Sequence, residues 1–208
     1  MFITFEGIDF CGKSTQVELL KKYLISRYKT VEIIREPGGT DISEIVRSVL
    51  LDKKHNHMKM ETEIFLFSAS RAQLVREKIQ PSINEGVYVI SDRFHDSTTA
   101  YQGFGRGIDL EIVKHINKLA IDGAIPDITF IIDIPVSVAN ERKMKKSESS
   151  LDRMELSDSI FFERVRNGYL TIAKNEKRFR VIDGTKSIEE INKKIIEEIN
   201  LIEKKEKV

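Results

Sequence analysis

Apolar positions along the chain follow two alternating periods. Short, almost continuous apolar runs occupy residues 2–5, 31–34, 87–90, 128–134 and, more weakly, 179–182. Between them apolar residues recur every three or four positions, as in Val17, Leu20, Leu24 and Tyr28. The same spacing returns in Ile188, Ile191, Ile195, Ile199 and Ile202. Continuous runs suit strands buried on both faces, and the longer period suits helices with one apolar stripe. Strands alternating with helices predict βαβ units and therefore an α/β fold with a parallel sheet. Residues 60–84 read as a long helix that Pro81 kinks or restarts. The charged tail, 203–208, predicts frayed and exposed chain. With no internal repeat and no Gly/Ser linker, a single domain over 1–208 is expected.

Composition narrows the classes without choosing one. The 208 residues are 40% hydrophobic and 32% charged, with a formal net charge of +1. That balance offers no global field to recruit nucleic acid or anionic lipid, so an anion has to be met by local basic groups. No apolar run approaches the roughly 20 residues of a membrane span. Met1 runs straight into a strand without a basic leader, which predicts no signal peptide. The single cysteine, Cys11, excludes an intramolecular disulfide and fits a reducing cytoplasm.

The chemistry starts where the first run ends. Gly7-Ile8-Asp9-Phe10-Cys11-Gly12-Lys13-Ser14-Thr15 has the spacing G-x-x-x-x-G-K-S between a strand and a helical pattern, the context of a phosphate-cradling P-loop. Gly7 and Gly12 let backbone N–H groups converge on phosphate oxygens, and the opening helix aims its positive dipole end at the same anion. Lys13 adds a mobile cation for the β- and γ-phosphates, and the Ser14 hydroxyl is a natural Mg²⁺ ligand. Gly7, Ile8, Asp9, Phe10, Cys11, Gly12, Lys13, Ser14 and Thr15 are thus the expected residues for binding a nucleoside triphosphate. Cys11 is either small filler in the loop or a thiol activated by the helix N-terminus.

A P-loop does not by itself separate kinases from GTPases or motor ATPases. The N-K-x-D motif of guanine readers is absent. The third run ends in Asp92-Arg93, a carboxylate for Mg²⁺ followed by a guanidinium, at a strand end where open α/β sheets place ligands. Further along stand Arg35-Glu36-Pro37-Gly38-Gly39-Thr40, Phe67-Ser68-Ala69-Ser70-Arg71, Ser97-Thr98-Thr99-Ala100-Tyr101-Gln102-Gly103, Gly105-Arg106-Gly107, Pro126-Asp127 and Leu151-Asp152-Arg153-Met154-Glu155. In this order, and along nearly the whole chain, these motifs resemble the bacterial thymidylate kinases.

The resemblance implies a P-loop NTPase fold: a five-stranded parallel sheet, helices on both faces and a short mobile lid at about 142–153. It implies transfer of the γ-phosphoryl group from ATP to dTMP with Mg²⁺, giving dTDP and ADP for dTTP synthesis. The partners it implies are these small molecules and a second copy in a cytoplasmic homodimer, with no nucleic acid and no membrane. Residue by residue, Phe67 would stack on thymine, Arg71 would bond the base O4 and Gln102 would read its polar edge. Arg93 would clamp the acceptor phosphate, with Ser97 and Thr98 in the same substrate-binding stretch, and Arg47 would contact the nucleotide. Tyr101 would lie against the deoxyribose, and Glu36 and Asp9 would hold its 3′-OH. Ser14 and Asp92 would hold the metal. Arg142 and Asp183, in Asp183-Gly184-Thr185, would flank the adenine.

One departure bears on mechanism. Some family members carry an arginine within the P-loop, where this chain has Phe10, so Lys13 is the only cation between Gly7 and Ser14. The missing charge is expected from the lid, with Arg153 favoured and Lys143, Lys145 or Lys146 as alternatives. The expected catalytic set is therefore Lys13, Asp9, Arg93 and Arg153. Two rival readings stand beside it: a kinase for another small acceptor, and a nucleotide-binding switch without transferase activity.

Overall fold

A computed structural model describes residues 1–147, 149 and 151–205. Five strands form one parallel sheet: β1 (Phe2–Glu6), β2 (Val31–Arg35), β3 (Tyr88–Asp92), β4 (Ile128–Asp133) and β5 (Phe179–Asp183). Their order is β2-β3-β1-β4-β5, which leaves β1 at the centre. Phe5 pairs with Asp92 on one side and Phe130 on the other. The predicted strands hold to within two residues at each end.

Side-chain alternation explains why the apolar runs are continuous. Ile3 and Ile90 pack in one cluster with Val17, Leu20, Ile195 and Ile199 of the helices α1 (Lys13–Ser26) and α9 (Ile188–Lys205). Their neighbours Phe2 and Val89 point the other way, into a cluster with Leu74, Val75 and Ile79. Successive strand residues face opposite sides, so each face carries its own helices and its own core. Between the central strands the Thr4 and Thr129 hydroxyls share a buried hydrogen bond of 2.7 Å, which satisfies both polar groups where no water reaches.

Three expectations change. Tyr28 leaves the α1 stripe: it is 99% exposed with φ 59°. The N–H of Tyr28 donates to Ile25 O and that of Lys29 to Leu24 O, the double closure of a helix whose next residue is left-handed. Ile188 is half exposed at the start of α9, whereas Ile191, Ile195 and Ile199 are buried. The tail is anchored further than predicted. Glu203 is buried because Arg27 Nη1 and Tyr88 Oη each donate to its carboxylate at 2.7 Å, and Lys29 lies 3.6 Å away. The predicted frayed stretch 206–208 lies outside the described residues, as do 148 and 150 of the lid.

The long helical stretch restarts rather than breaks. After α3 (Met60–Leu74) the helix widens into a π turn over Val75–Ile79 and continues as α4 (Gln80–Asn84). Pro81 stands in the first turn of α4, where its missing N–H costs no hydrogen bond. The other helices that position the site are α2 (Asp41–Leu51), α5 (His95–Thr98) with a π segment at Thr99–Gly105, α6 (Leu110–Ile121), α7 (Val136–Lys143) and α8 (Ser159–Ile172).

At the start of α5, burial is the largest influence on His95 and pushes its pKa down from 6.5 to about 4. Among the described residues its Nε2 has no partner, Asp96 lies 3.5 Å from Nδ1, and the cations Arg178 and Arg71 also disfavour its charge. Because the folded pKa lies below the unfolded one, His95 contributes stability above pH 6.5 that is lost as pH falls through about 4. The loss should be on the order of 2–3 kcal/mol. Urea midpoints at pH 7.5 and pH 4.5 test this: His95→Gln should show a smaller difference between the two than wild type. Equal differences would show that other groups set the acid limit.

Candidate active site

Every strand that carries a candidate residue delivers it at its carboxyl end. The turn after β1 supplies Asp9 to Ser14, the end of β2 supplies Glu36, and β3 ends in Asp92 and Arg93. Around them opens a cleft of about 430 Å³, whose lining also takes in Arg47, Phe67, Arg71, Tyr101, Gln102 and Arg142. Ser97, Thr98, Thr15 and Phe10 line it too. Most of the sequence candidates are thus drawn from separate stretches of the chain into one space.

The P-loop backbone requires its glycines. Gly7 has φ 133°, and a Cβ there would sit 2.5 Å from Ile132 O on β4. Gly12, at φ 100°, opens α1. Lys13 is buried and its Nζ donates to the carbonyls of Gly7 and Ile8 at 3.1 and 3.0 Å. Ile8 and Cys11 are buried behind the loop, with Cys11 Sγ 3.5 Å from Lys13 Nζ. Ser14 Oγ donates to Asp92 Oδ2 at 2.6 Å. A hydroxyl beside a carboxylate is an oxygen-only donor pair that fits Mg²⁺. Among the described residues no group of three or more His, Cys, Asp or Glu is placed to hold a metal ion.

Arg93 is the best-held group in the cleft. It has φ 73°, and its Nη1 donates to Gly7 O, Ser97 Oγ and Tyr169 Oη at 3.1–3.3 Å. Its Nη2 donates to Asp9 Oδ1 at 2.5 Å and to Tyr101 Oη at 3.0 Å. Tyr101 Oη in turn donates to Asp9 Oδ2 at 2.9 Å. Burial opposes the charge on Asp9, but Arg93 and Lys13 outweigh it and hold the carboxyl below its ordinary range. Ser97 is spent on this scaffold: its hydroxyl donates to Glu6 Oε2 at 2.6 Å, so it positions Arg93 rather than offering a free donor.

The base of the cleft is a buried ion pair. Arg71 is 2% exposed; its Nε donates to Glu36 Oε2 at 2.7 Å, its Nη2 lies 2.6 Å from the same oxygen, and its Nη2 donates to Phe94 O at 3.1 Å. Its Nη1 donates to Thr98 Oγ1 at 2.7 Å, which accounts for Thr98. Glu36 Oε1 is buried without a partner among the described residues. Burial raises the Glu36 pKa more than Arg71 lowers it. Arg47 Nη1 donates to Pro37 O at 2.8 Å, so it leans over the same loop.

Two candidates stand elsewhere. Arg153 does not line the cleft: its Nη1 donates to Glu63 Oε2 at 2.6 Å and its Nε to Leu50 O at 2.8 Å. Glu63 is 1% exposed, and a carboxylate so buried draws the nearest guanidinium. Asp183 is also outside, because its Oδ1 accepts from Thr185 N and Oγ1 within its own turn. The lid cations in the cleft are Arg142 and Lys146. Arg142 Nη1 donates to Phe10 O and Cys11 O, its Nη2 to Gly184 O. Lys146 Nζ lies 4.9 Å from the Phe10 ring centroid and 3.6 Å from Glu155.

Sequence reasoning missed Glu6 and Glu63, two buried carboxylates that organise the site from behind. Each stands at the edge of an apolar stretch, Glu6 after Phe5 and Glu63 before Ile64, and only the spatial convergence of donors singles it out.

Known proteins of like sequence and shape fall in one family. The family model described as thymidylate kinase matches residues 5–195. The thymidylate kinase of Thermosipho africanus is 51% identical over 191 residues, covering 92% of this chain and 93% of that protein. That of Kosmotoga olearia is 47% identical over 208 residues, covering 99% and 98%. The crystal structure of thymidylate kinase from Ehrlichia chaffeensis superposes with a TM-score of 0.78 at 39% identity, covering 96% of this chain and 98% of that one.

Proposed function

The chain belongs to the thymidylate kinase family, and from that premise we propose how its cleft moves the γ-phosphoryl group of ATP to dTMP. The activity follows from membership: the enzyme is a dTMP kinase that makes dTDP and uses ATP as donor. One observation supports the division of labour. A triphosphate loop and a buried acceptor pocket open into the same space, with Arg93 held between them.

Phosphoryl transfer asks for alignment and positive charge more than for covalent help. ATP sits with its β- and γ-phosphates on the N–H groups of the 7–15 loop and on Lys13. dTMP sits with thymine against Phe67, its O4 at Arg71 and its edge at Gln102. Tyr101 lies against the deoxyribose, and Glu36, whose Oε1 is unpaired, takes the 3′-OH together with Asp9. Arg93, with Arg47 nearby, holds the 5′-phosphate. An oxygen of that phosphate attacks the γ-phosphorus, the bond to the β,γ-bridging oxygen breaks, and ADP leaves. Ser14 and Asp92 would hold Mg²⁺, which would supply charge neutralisation at the phosphates. Arg142 flanks the adenine beside the turn that contains Asp183. As Arg153 is committed to Glu63, Lys146 is the lid cation for the transferred phosphoryl.

The setting follows the same reading. Among the described residues no helix is long and apolar enough to cross a membrane. A lone buried Cys11 fits a cytoplasmic enzyme. A homodimer is supported by apolar side chains left exposed on three adjacent helices: Ile42, Ile45 and Val49 on α2, Phe65 on α3, and Ile112 and Leu119 on α6. Sedimentation should find a dimer at micromolar concentration and Phe65→Glu as monomer; a monomeric wild type would remove the proposal.

A coupled assay of ADP release against dTMP, dUMP, dCMP, dGMP and dAMP tests the acceptor directly. Turnover should be highest with dTMP, and Lys13→Ala should lower kcat on the order of 10³-fold without unfolding the protein. ADP release that ignores the acceptor would point to a nucleotide switch instead.

The lid assignment separates by variant. Lys146→Ala should lower kcat on the order of 10²-fold while leaving the dTMP KM nearly unchanged. Arg153→Ala should act on stability, by about 1–3 kcal/mol, because it strips a partner from Glu63. If the larger kcat loss falls on folded Arg153→Ala, the arginine swings into the cleft and Lys146 is not the cation.

A further inference from the structure

The amide of Gln102 could in principle face the cleft with either end, and the two ends carry opposite chemical messages. An Oε1 facing the cleft accepts a hydrogen bond; an Nε2 facing it donates one. What decides between them lies behind the residue. Glu63, in the first turn of α3, is 1% exposed and has four contacts from donors. Its Oε1 accepts from Gln102 Nε2 at 2.9 Å and Arg106 Nε at 3.1 Å. Its Oε2 accepts from Arg106 Nη2 at 3.2 Å and Arg153 Nη1 at 2.6 Å. Burial opposes its charge, yet the arginines and Gln102 together hold it ionised, below the ordinary glutamate range. An ionised carboxylate only accepts, so the Gln102 nitrogen must turn toward it. Among the described residues nothing donates to Gln102 Oε1, which is left on the cleft side.

We propose that Glu63 is a positioning residue for acceptor specificity: by fixing Gln102 with its Oε1 toward the cleft, it selects pyrimidines that carry a ring N3–H. This rests on the reading above that Gln102 meets the base edge. Thymine offers N3–H as donor and O4 as acceptor, which match Gln102 Oε1 and the Arg71 guanidinium. Cytosine offers an N3 lone pair and an amino group, so both contacts would oppose like with like. The discrimination is therefore set one residue behind the contact. Arg153 and Arg106 add to it, because they supply the positive charge that keeps Glu63 ionised.

The hub also predicts what happens when the carboxylate becomes an amide. In Glu63→Gln one oxygen turns into an NH₂ donor. Two arginines cannot accept from it, whereas Gln102 can, by rotating its own amide half a turn. Gln102 would then show Nε2 to the base. The test compares kcat/KM for dTMP and dCMP in wild type, Glu63→Gln, Gln102→Leu and the double variant Glu63→Gln with Gln102→Glu. The double variant keeps the charge of the hub and restores an acceptor at position 102.

Glu63→Gln should lower the dTMP-to-dCMP ratio by about tenfold to a hundredfold, through the dTMP KM and with the ATP KM unmoved. The double variant should recover most of the ratio. A ratio unchanged in Glu63→Gln while both acceptors lose equally, or one that falls and is not recovered by the swap, overturns the proposal. If Glu63→Gln does not fold, the ratio in the charge-conserving double variant decides alone: near wild type supports the proposal, collapsed overturns it. Gln102→Leu separates the two layers. Should it leave the dTMP KM untouched, Gln102 does not meet the base and the parent reading fails; should it raise that KM while Glu63→Gln leaves the ratio alone, only the role of Glu63 is lost.

Discussion

A carboxylate at the end of the central strand, shut off from water, has to be satisfied from within the protein, and much of the site is arranged to do so. Glu6 is fully buried. Its Oε1 accepts from the backbone N–H groups of Phe94 and Ser97, and its Oε2 from the hydroxyls of Ser97 and Tyr169. An unmet charge there would cost several kcal/mol, so the donors cannot drift. Those donors flank Arg93 in the chain or touch it in space. The same demand that fixes the turn after β3 therefore fixes the guanidinium that faces the P-loop. Tyr169 carries it outward to α8, tying a helix more than 150 residues further along the chain to the first strand.

The same logic recurs for the other acidic groups. Glu36 commits Arg71, Glu63 commits Arg106 and Arg153, and Asp96 commits Arg178 through two contacts of 2.7–2.8 Å. In Arg106 and Arg178 the guanidinium fork answers both carboxylate oxygens at once. Lysines are left to the positions where reach matters more than geometry: Lys13 on the loop carbonyls and Lys146 over Phe10. This division explains why a chain with an arginine in its lid motif presents a lysine to the cleft.

Legibility in the sequence followed locality. The five strands were readable because strands buried on both faces need unbroken apolar runs, and β4 at residues 128–133 shows this plainly. The P-loop was readable because Gly7 and Gly12 meet backbone constraints at fixed spacing. Phe67, Arg71, Gln102 and Tyr101 came from resemblance and not from pattern; alone they look like ordinary helix residues. Tyr28 was misassigned because a helix end closed by left-handed geometry interrupts the period one residue before the pattern does. Glu203 was assigned to a frayed tail because its partners, Arg27 and Tyr88, are over a hundred positions away. Arg153 stands outside the cleft for a related reason: its partner, Glu63, lies ninety residues earlier, and no local rule announces that a carboxylate in a helix will be sealed from water.

The strand order has a consequence for how the chain acquires its site in time. β1 is made first, yet its neighbours are residues 88–92 and 128–133. Neither side of the central strand can be paired until most of β3 has been synthesised, and both sides only when nearly two thirds of the chain exists. Contacts of such sequence separation form slowly, because a long loop must close before they stabilise anything. Gly7 lies so close to Ile132 O that a Cβ there would clash, so a chain that has not yet reached β4 carries its nucleotide-binding motif without one of the walls it packs against.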